Sequence, residues 1–241
     1  MRQSNLYILL YAAAITVVCG GALAFASISL RDRQQANIEH ERKQNILATV
    51  IELKETDNVE EIYAKRVKEI VIDFQGNAQV GVQASSIDIA KEYKKKPEER
   101  RLPVYEFISL TDSAKADNAV IPVYGYGLWN NIWGFVAFQS DLNTVQGVKF
   151  EHAGETPGLG ARITSEDIQV RYKGKKVFDG ENLSSVVMQK GEGKDYANDA
   201  HKVDGMSGAT LTGKGVNNML KEYFGCYKNY LKKNQHISLN L

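Results

Sequence analysis

Residues 204–231 read DGMSGATLTGKGVNNMLKEYFGCYKNYL, and this stretch determines how the C-terminal half of the chain folds. Its second part places apolar side chains at steps of three and four, which is typical of one face of an amphipathic helix. These side chains are Val216, Met219, Leu220, Tyr223, Phe224, Tyr227 and Leu231. The pattern predicts a helix whose apolar stripe packs against a sheet and belongs to the core.

The first part of the stretch, residues 204–212, sets three hydroxyls among residues with little or no side chain. Ser, Thr, Gly and Asp are ordinary residues at the start of a helix. The same small residues leave room for a bulky phosphorylated group to reach a hydroxyl. The unpaired amides of the first helical turn favour a nearby phosphate. Composition alone leaves Ser207, Thr210 and Thr212 open as the modified hydroxyl.

Strand patterns precede this helix. Alternating or continuous apolar runs at 70–74, 104–110, 119–127, 132–138 and 145–152 predict strands, with shorter ones at 168–172 and 186–188. Pro122 favours an edge or the start of a strand. We therefore predict an α+β domain over residues 69–241, with a mostly antiparallel sheet and flanking helices.

The N-terminal part reads differently. Residues 1–5 form a short tail, and residues 6–30 contain no charged side chain and are long enough to cross a bilayer. A secretory signal peptide is the alternative, because residues 24–26 read AFA, but the apolar run exceeds a usual signal core. We predict a transmembrane helix, followed over residues 31–68 by a helical stalk and linker.

Charge does not determine the orientation clearly. Arg31 and Arg33 after the span outnumber Arg2 before it, and the positive-inside bias would keep the domain in the cytoplasm. The margin is one residue, and long domains translocate largely regardless of charge.

Composition excludes several classes of function. A net charge of +1 and a pI near 7.7 provide no strong field, so nucleic-acid binding is not supported. Two distant cysteines, Cys19 and Cys226, argue against a disulfide framework, a zinc site or an iron–sulfur cluster. His152 and Glu155 fall short of a metal-ligand set. We predict neither a metal site nor a catalytic side chain.

Three strings resemble a known family. Residues 204–210, DGMSGAT, resemble the flavinylation motif of the FMN-binding domain family, in which the final Thr carries FMN through a phosphoester. Residues 124–129, YGYGLW, and 154–162, GETPGLGAR, resemble further signatures of that family. With the N-terminal anchor and its continuation at 37–47, the chain resembles the C-subunit family of the sodium-translocating NADH:quinone oxidoreductases.

The resemblance implies a set of site residues. Thr210 would carry covalent FMN, and Asp204 and Gly205 would belong to the modification motif. The further residues near FMN would be Ser207, Gly208, Ala209, Thr212, Glu155, Thr156, Leu159, Gly160, Leu128 and Trp129. Other interpretations stay open: Trp129 as core packing, residues 155–160 as a strand-to-helix turn, and Asp204 as a turn-forming residue.

The resemblance also implies a function. The chain would be a membrane-anchored electron carrier that passes electrons from NADH toward quinone in a sodium-pumping complex. Its partners would be other components of that complex, especially the B, D and E subunits, together with membrane lipid and a flavin transferase. The family places the flavin domain on the periplasmic side of the bacterial inner membrane, against the charge bias. The alternatives are the G subunit of the ferredoxin-linked electron transport complex and a non-redox, membrane-anchored assembly module.

Overall fold

The chain forms two units in the structure, which is a computed structural model describing residues 4–109 and 116–238, with side chains up to residue 234. The first unit is Met1–Arg42 and the second is Lys43–Leu241.

One long helix supplies residues 5–42 of the first unit. Helix α1 runs over Asn5–Ala48. It contains an 18-residue window with a mean hydropathy of 2.2 in which no residue is buried. By length and composition this helix can cross a membrane. The predicted span and the first part of the predicted stalk are thus one continuous element.

The second unit is built on a five-stranded antiparallel sheet in which the strands follow one another in chain order. The strands are β1 (Val67–Ile72), β2 (Leu102–Ile108), β3 (Ala116–Tyr126), β4 (Asn131–Phe138) and β5 (Val145–His152). Two small pairs follow: antiparallel β6 (Phe178–Asp179) with β7 (Asn182–Leu183), and parallel β8 (Val187–Met188) with β9 (Lys202–Val203). The predicted α+β class with a mostly antiparallel sheet is confirmed.

Four further helices among the described residues lie around the sheet. They are α2 (Val59–Arg66), α3 (Ile89–Tyr93), α4 (Glu166–Gln169) and α5 (Thr210–Ser238). The Asn58 side chain caps α2 by accepting from the Glu61 amide at 3.3 Å. The Asp88 side chain caps α3 by accepting from the Ala90 amide at 3.0 Å. Short 3-10 turns occupy residues 84–86, 97–99, 160–164 and 170–172.

The strand predicted at residues 168–172 is wrong. Helix α4 ends there at Gln169, and a 3-10 turn follows. The Ser165 carbonyl accepts from the amides of Ile168 and Gln169 at 3.2 and 3.1 Å, closing a helical turn. Glu166 and Asp167 lie in that first turn, where negative side chains are favourable. These local start signals outweigh the β-rich composition of the five residues.

Pro122 lies in the middle of the central strand β3, opposite Phe135 of β4, and not at an edge or strand start. The ladder between β2 and β3 runs only from the Tyr105–Val120 pair to Ile108 and Ala116. Pro122 is therefore beyond the end of that ladder. A residue without an amide hydrogen is tolerated there because the ladder on the β2 side has already ended.

Helix α5 covers one face of the sheet. All seven apolar residues of the predicted stripe are at most 2% exposed, and they pack with Val104, Ile121 and Phe138 of the strands. The Tyr227 hydroxyl donates to the Pro103 carbonyl at 2.7 Å in this interior. The prediction that the stripe is core is confirmed.

The opposite face of the sheet is covered by residues that precede β1. Ile46, Leu47, Val59 and Tyr63 are buried in a cluster with strand residues such as Phe107. Residues 43–68, which the sequence places in a stalk and linker, thus supply a second covering layer. The compact unit begins at Lys43, and these apolar side chains pack against the sheet because that contact excludes water.

Candidate functional site

Thr210 is the first residue of α5, and it is exposed. The amides of Thr210, Leu211 and Thr212 have no hydrogen-bond acceptor among the described residues, whereas the next amide, of Gly213, donates to Ala209 at 3.0 Å. Three free N–H groups and the helix dipole together give this end of α5 a partial positive charge. The Thr210 hydroxyl is therefore accessible beside a site that favours an anion.

Two cavities share Thr210. The larger, of about 200 Å³, is lined by Leu128, Glu155, Thr156, Leu159, Gly160, Gly208, Ala209, Thr210, Leu211 and Thr212. The smaller, of about 110 Å³, is lined by Met188, Gln189, Lys190, Met206, Ala209, Thr210, Gly213, Lys214 and Asn217. The structure therefore brings residues from three distant strings of the sequence to one place. Of the residues that the sequence indicated near FMN, Trp129 and Ser207 are outside both linings.

Glu155 forms hydrogen bonds to residues in or next to the other two strings. Its side chain is 4% exposed. One carboxylate oxygen accepts from the amides of Leu128 and Trp129, both at 2.9 Å, and the other accepts from the Thr212 hydroxyl at 2.6 Å. Burial raises the pKa of Glu155, but the hydrogen bonds from Thr212 and from the amides of residues 128–130 outweigh it, so the pKa is lowered.

The same contact removes one of the three candidate hydroxyls. Thr212 is 1% exposed, and its hydroxyl donates to Glu155. A buried hydroxyl that already serves as a donor is not available to a modifying enzyme. Ser207 and Thr210 remain, since both are exposed.

The aromatic and aliphatic side chains beside Thr210 are open to solvent. Trp129 is 69% exposed, which excludes the interpretation of this residue as core packing. Its indole N–H donates to the Thr156 hydroxyl at 3.1 Å. Leu128 and Leu159 are 45% and 41% exposed although both line the larger cavity. Such exposed apolar surface is typical of a surface that receives a ligand or a partner.

The start of the motif has structural contacts of its own. The Asp204 carboxylate accepts from the amides of Gly193 and Lys194 at 2.7 and 3.2 Å. A Cβ atom on Gly205 would lie 2.0 Å from the Gln189 carbonyl oxygen, so only glycine fits there. Gly208 has φ +72°, a conformation that favours glycine. Asp204 thus anchors a neighbouring turn, and the glycines permit the backbone path to Thr210.

An ion-pair network holds this motif from outside. Glu192 accepts from both terminal nitrogens of Arg162, at 2.9 and 2.7 Å, and from Arg171 at 3.0 Å. Its second oxygen also accepts from the Ser207 amide at 3.0 Å. Arg171 in turn donates to the carbonyl of Gly205. The network therefore fixes the motif backbone on both sides of Met206.

Sequence reasoning missed Glu192 and Arg171 and gave Arg162 no role. Arg171 follows Asp167 by four residues, and the two side chains pair at 3.3 Å. That spacing is a helical signal, but the sequence around it was interpreted as a strand. Glu192 lies between two glycines and has no local signal at all.

The pH dependence of the free energy of unfolding tests the role of Glu192 in this network. Its hydrogen bonds from Arg162, the Ser207 amide and Arg171 hold the pKa of Glu192 well below its usual range. A depressed folded pKa contributes stability above the unfolded value, about 4.3, and this contribution is lost as pH falls. We expect Glu192→Gln to lower the free energy of unfolding by about 1 kcal/mol at pH 7, allowing for partial exposure. The variant should also flatten the decline of stability below about pH 4.5.

Urea unfolding of the detergent-solubilised chain at a series of pH values measures both effects. Glu98→Gln is the control, because Glu98 is exposed and lies in a 3-10 turn outside the network. Identical pH profiles for the wild type and Glu192→Gln would contradict this role of the network.

Comparison with known proteins agrees with the geometry. Residues 127–224 match the FMN-binding domain family. The chain is 34% identical over 224 residues to the C subunit of the Na(+)-translocating NADH-quinone reductase of Haemophilus ducreyi, covering 88% of this chain and 86% of that protein. It is 32% identical over 225 residues to the Vibrio anguillarum protein of the same name, covering 88% and 87%.

A solved structure shows the same fold. The crystal structure of the C subunit of the Na(+)-translocating NADH-quinone reductase from Parabacteroides distasonis superposes with a TM-score of 0.72 at 32% identity, covering 84% of this chain and 96% of that one. The family that the three strings indicated is confirmed. The chain contains an FMN-binding domain and belongs to the C-subunit family of the Na(+)-translocating NADH-quinone reductases.

Proposed function

We propose that Thr210 carries FMN through a phosphoester bond and that the chain acts as a membrane-anchored electron carrier. The observation that carries this proposal is the position of Thr210. Its exposed hydroxyl lies at the first residue of α5, beside three amides without acceptors, and borders both cavities. The resemblance of residues 204–210 to the flavinylation motif selects Thr210 over Ser207.

The phosphate would lie at the start of α5. A phosphodiester on Thr210 keeps one negative charge, which the free amides and the helix dipole would stabilise. Lys190 and Lys214 border the smaller cavity and add positive charge near the same hydroxyl. A helix start with adjacent lysines therefore fits an esterified phosphate.

The flavin ring would lie on the apolar side. Leu128 and Leu159 border the larger cavity, and Trp129 stands exposed beside Thr156. A cavity of about 200 Å³ is smaller than the roughly 300–1,000 Å³ of sites that enclose a whole ligand. The site would therefore leave part of the ring uncovered, which suits a group that exchanges electrons with a partner protein.

The attachment requires a separate enzyme and a flavin dinucleotide donor. The Thr210 oxygen would attack the flavin-side phosphorus, the bond between the two phosphates would break, and the nucleoside monophosphate would leave with the bridging oxygen. The hydroxyl proton would pass to a base of the enzyme or to water. Once bound, FMN supplies the redox chemistry, and the residues of this chain position it and determine its surroundings.

The relatives' names support a place in a larger complex. As the C subunit of such a complex, this chain would receive electrons from one partner-held centre and pass them to another, on the way from NADH to quinone, while the complex exports sodium. The B, D and E subunits would be its main neighbours. The apolar part of α1 would lie in the bacterial inner membrane among lipid.

We place the domain on the periplasmic side, as the family resemblance implies. Arg31 and Arg33 argue weakly for the opposite side, with a margin of one basic residue over Arg2. Protease digestion of intact spheroplasts distinguishes the two. Cleavage of the domain before lysis supports the proposal, and protection until lysis contradicts it.

Intact mass tests the covalent bond. The full chain, coexpressed with a flavin transferase and purified in detergent, should gain the mass of one FMN less one water. After digestion, that mass should lie on the peptide that contains Thr210. Unmodified mass and loss of yellow colour on denaturation would contradict the proposal and leave a membrane-anchored assembly module.

A further inference from the structure

We propose that the carboxylate of Glu155 lowers the redox potential of the FMN on Thr210 by placing a fixed negative charge, which has no ion-pair partner among the described residues, beside the flavin. This inference rests on the proposed function. It assigns Glu155 to positioning and electrostatics, not to a hydrogen bond with the ligand.

The contacts of Glu155 are the first argument. Its two oxygens accept from two backbone amides and from the buried Thr212 hydroxyl, all at 2.6–2.9 Å. The amide of Glu155 itself donates to the His152 ring at 3.3 Å. These bonds hold the side chain in one orientation and occupy its acceptor positions toward the protein. A ligand would meet the negative charge of a carboxylate that has no proton to donate and already accepts three hydrogen bonds from the protein.

The packing around the carboxylate is the second argument. A Cβ atom on Gly127 would lie 2.4 Å from one carboxylate oxygen, and a Cβ on Gly160 would lie 2.5 Å from the other. The carboxylate thus fills a space that two glycines leave open. Turning the side chain away would break its hydrogen bonds to Leu128, Trp129 and Thr212, so its charge has a fixed location.

The absence of a countercharge is the third argument. Glu192 is paired with two arginines, whereas no lysine, arginine or histidine side chain lies within 4.0 Å of the Glu155 carboxylate in the described part of the chain. Its hydrogen-bond donors are neutral amides and a hydroxyl, which keep it ionised at neutral pH but do not cancel its charge. The charge of the Glu155 carboxylate is therefore not neutralised by a direct ion pair.

The location of that charge gives the effect. The larger cavity is bordered by Glu155 together with Leu128, Leu159 and Thr210. Glu155 also accepts a hydrogen bond from Thr212 in the first turn of α5. Reduction adds electrons to the flavin, and a fixed negative charge nearby makes the added charge less favourable. A partly water-excluded position weakens screening. Glu155 also offsets the positive end of α5, which would otherwise favour reduction.

The experiment compares midpoint potentials of bound FMN. Full-length wild type and Glu155→Gln are each loaded with FMN by the transferase, purified in detergent and titrated spectroelectrochemically at pH 7. Glutamine keeps the shape and removes the charge. We expect Glu155→Gln to raise the ratio of reduced to oxidised flavin about tenfold at a fixed potential, an upward shift of about 30 mV for a two-electron couple.

Two variants separate charge from shape. Thr212→Val removes a hydrogen bond to Glu155 but keeps its charge, so its potential should stay at or below that of the wild type. Glu98→Gln removes an exposed charge in a 3-10 turn outside the site and should leave the potential unchanged. An upward shift in Thr212→Val would mean that loosening the site, and not charge, sets the potential.

The possible failures are distinguishable. Wild-type protein that gains no covalent flavin contradicts the proposed function before any potential is measured. Flavin-loaded Glu155→Gln with the wild-type potential overturns only the role of Glu155. If Glu155→Gln does not fold, Thr212→Val still tests the inference: a lower potential supports it, because the carboxylate loses a donor that partly neutralises its charge, and a higher potential overturns it.

Discussion

Replacing Gly205 by alanine is expected to lower the free energy of unfolding by about 3 kcal/mol, the upper part of the usual range for overpacking. The added methyl group would lie 2.0 Å from the Gln189 carbonyl oxygen and 2.3 Å from that of Gly191. Both are backbone atoms, so no side-chain rotation relieves the overlap. The motif backbone or the 189–191 loop must move. Movement of the motif displaces the Gly205 carbonyl from Arg171, and movement of the loop displaces the adjacent Glu192 from the Ser207 amide.

The consequence should extend to the flavin. A displaced motif no longer presents Thr210 at the start of α5, so FMN incorporation should fall to less than about a tenth of wild type, as expected when a site is misplaced by about 1 Å. Urea unfolding and the flavin-to-protein absorbance ratio measure the two effects. Gly225→Ala is the matched control, because a Cβ there meets nothing within 4 Å and alanine favours the helix. Equal stability of the two variants would contradict the steric argument.

Thr210→Ala is expected to abolish covalent FMN while leaving the fold intact. The side chain is exposed, and substitutions at such positions usually change stability by less than about 0.5 kcal/mol. Loss of the hydroxyl removes the only atom through which the phosphoester would form. Intact mass after coexpression with the transferase should show the unmodified chain alone.

Two substitutions complete this test. Ser207→Ala removes the other exposed hydroxyl of the motif and should keep the added mass, because its amide contact with Glu192 does not depend on the side chain. Thr210→Ser keeps a hydroxyl and should restore some modification. Retention of FMN in Thr210→Ala, or its loss in Ser207→Ala alone, would place the attachment elsewhere.

The sequence predicted those parts of the fold that depend on local pattern. The apolar stripe on α5 and the five strands are predicted by the spacing of apolar residues, because that spacing shows which face of a helix or strand is buried. Residues that line the larger cavity are also predicted, because the three strings that contain Leu128, Leu159 and Thr210 resemble family signatures. Their meeting in space was implied by that resemblance and not by spacing.

The parts that failed depend on distant contacts. Glu192 acts through Arg162 and Arg171, which precede it by 30 and 21 residues. Nothing near Glu192 in the sequence marks it as a partner of either arginine. The sequence also does not show that residues 43–68 pack against the sheet. A short helix with mixed charges is typical of a solvent-exposed helix, and the uncovered face of the sheet is known only from the fold. Pairing across long separations is determined by the whole fold and not by local propensity.

The chain order of the site has a consequence for biogenesis. The five strands precede α5, and both Glu155, in the loop after β5, and Thr212, in α5, must be present before their hydrogen bond can form. A nascent chain that has left the ribosome only as far as residue 209 lacks Thr210 and the rest of α5, and it leaves one face of its sheet exposed to water. If Thr210 carries FMN as proposed, attachment would therefore follow translation of the whole five-stranded sheet.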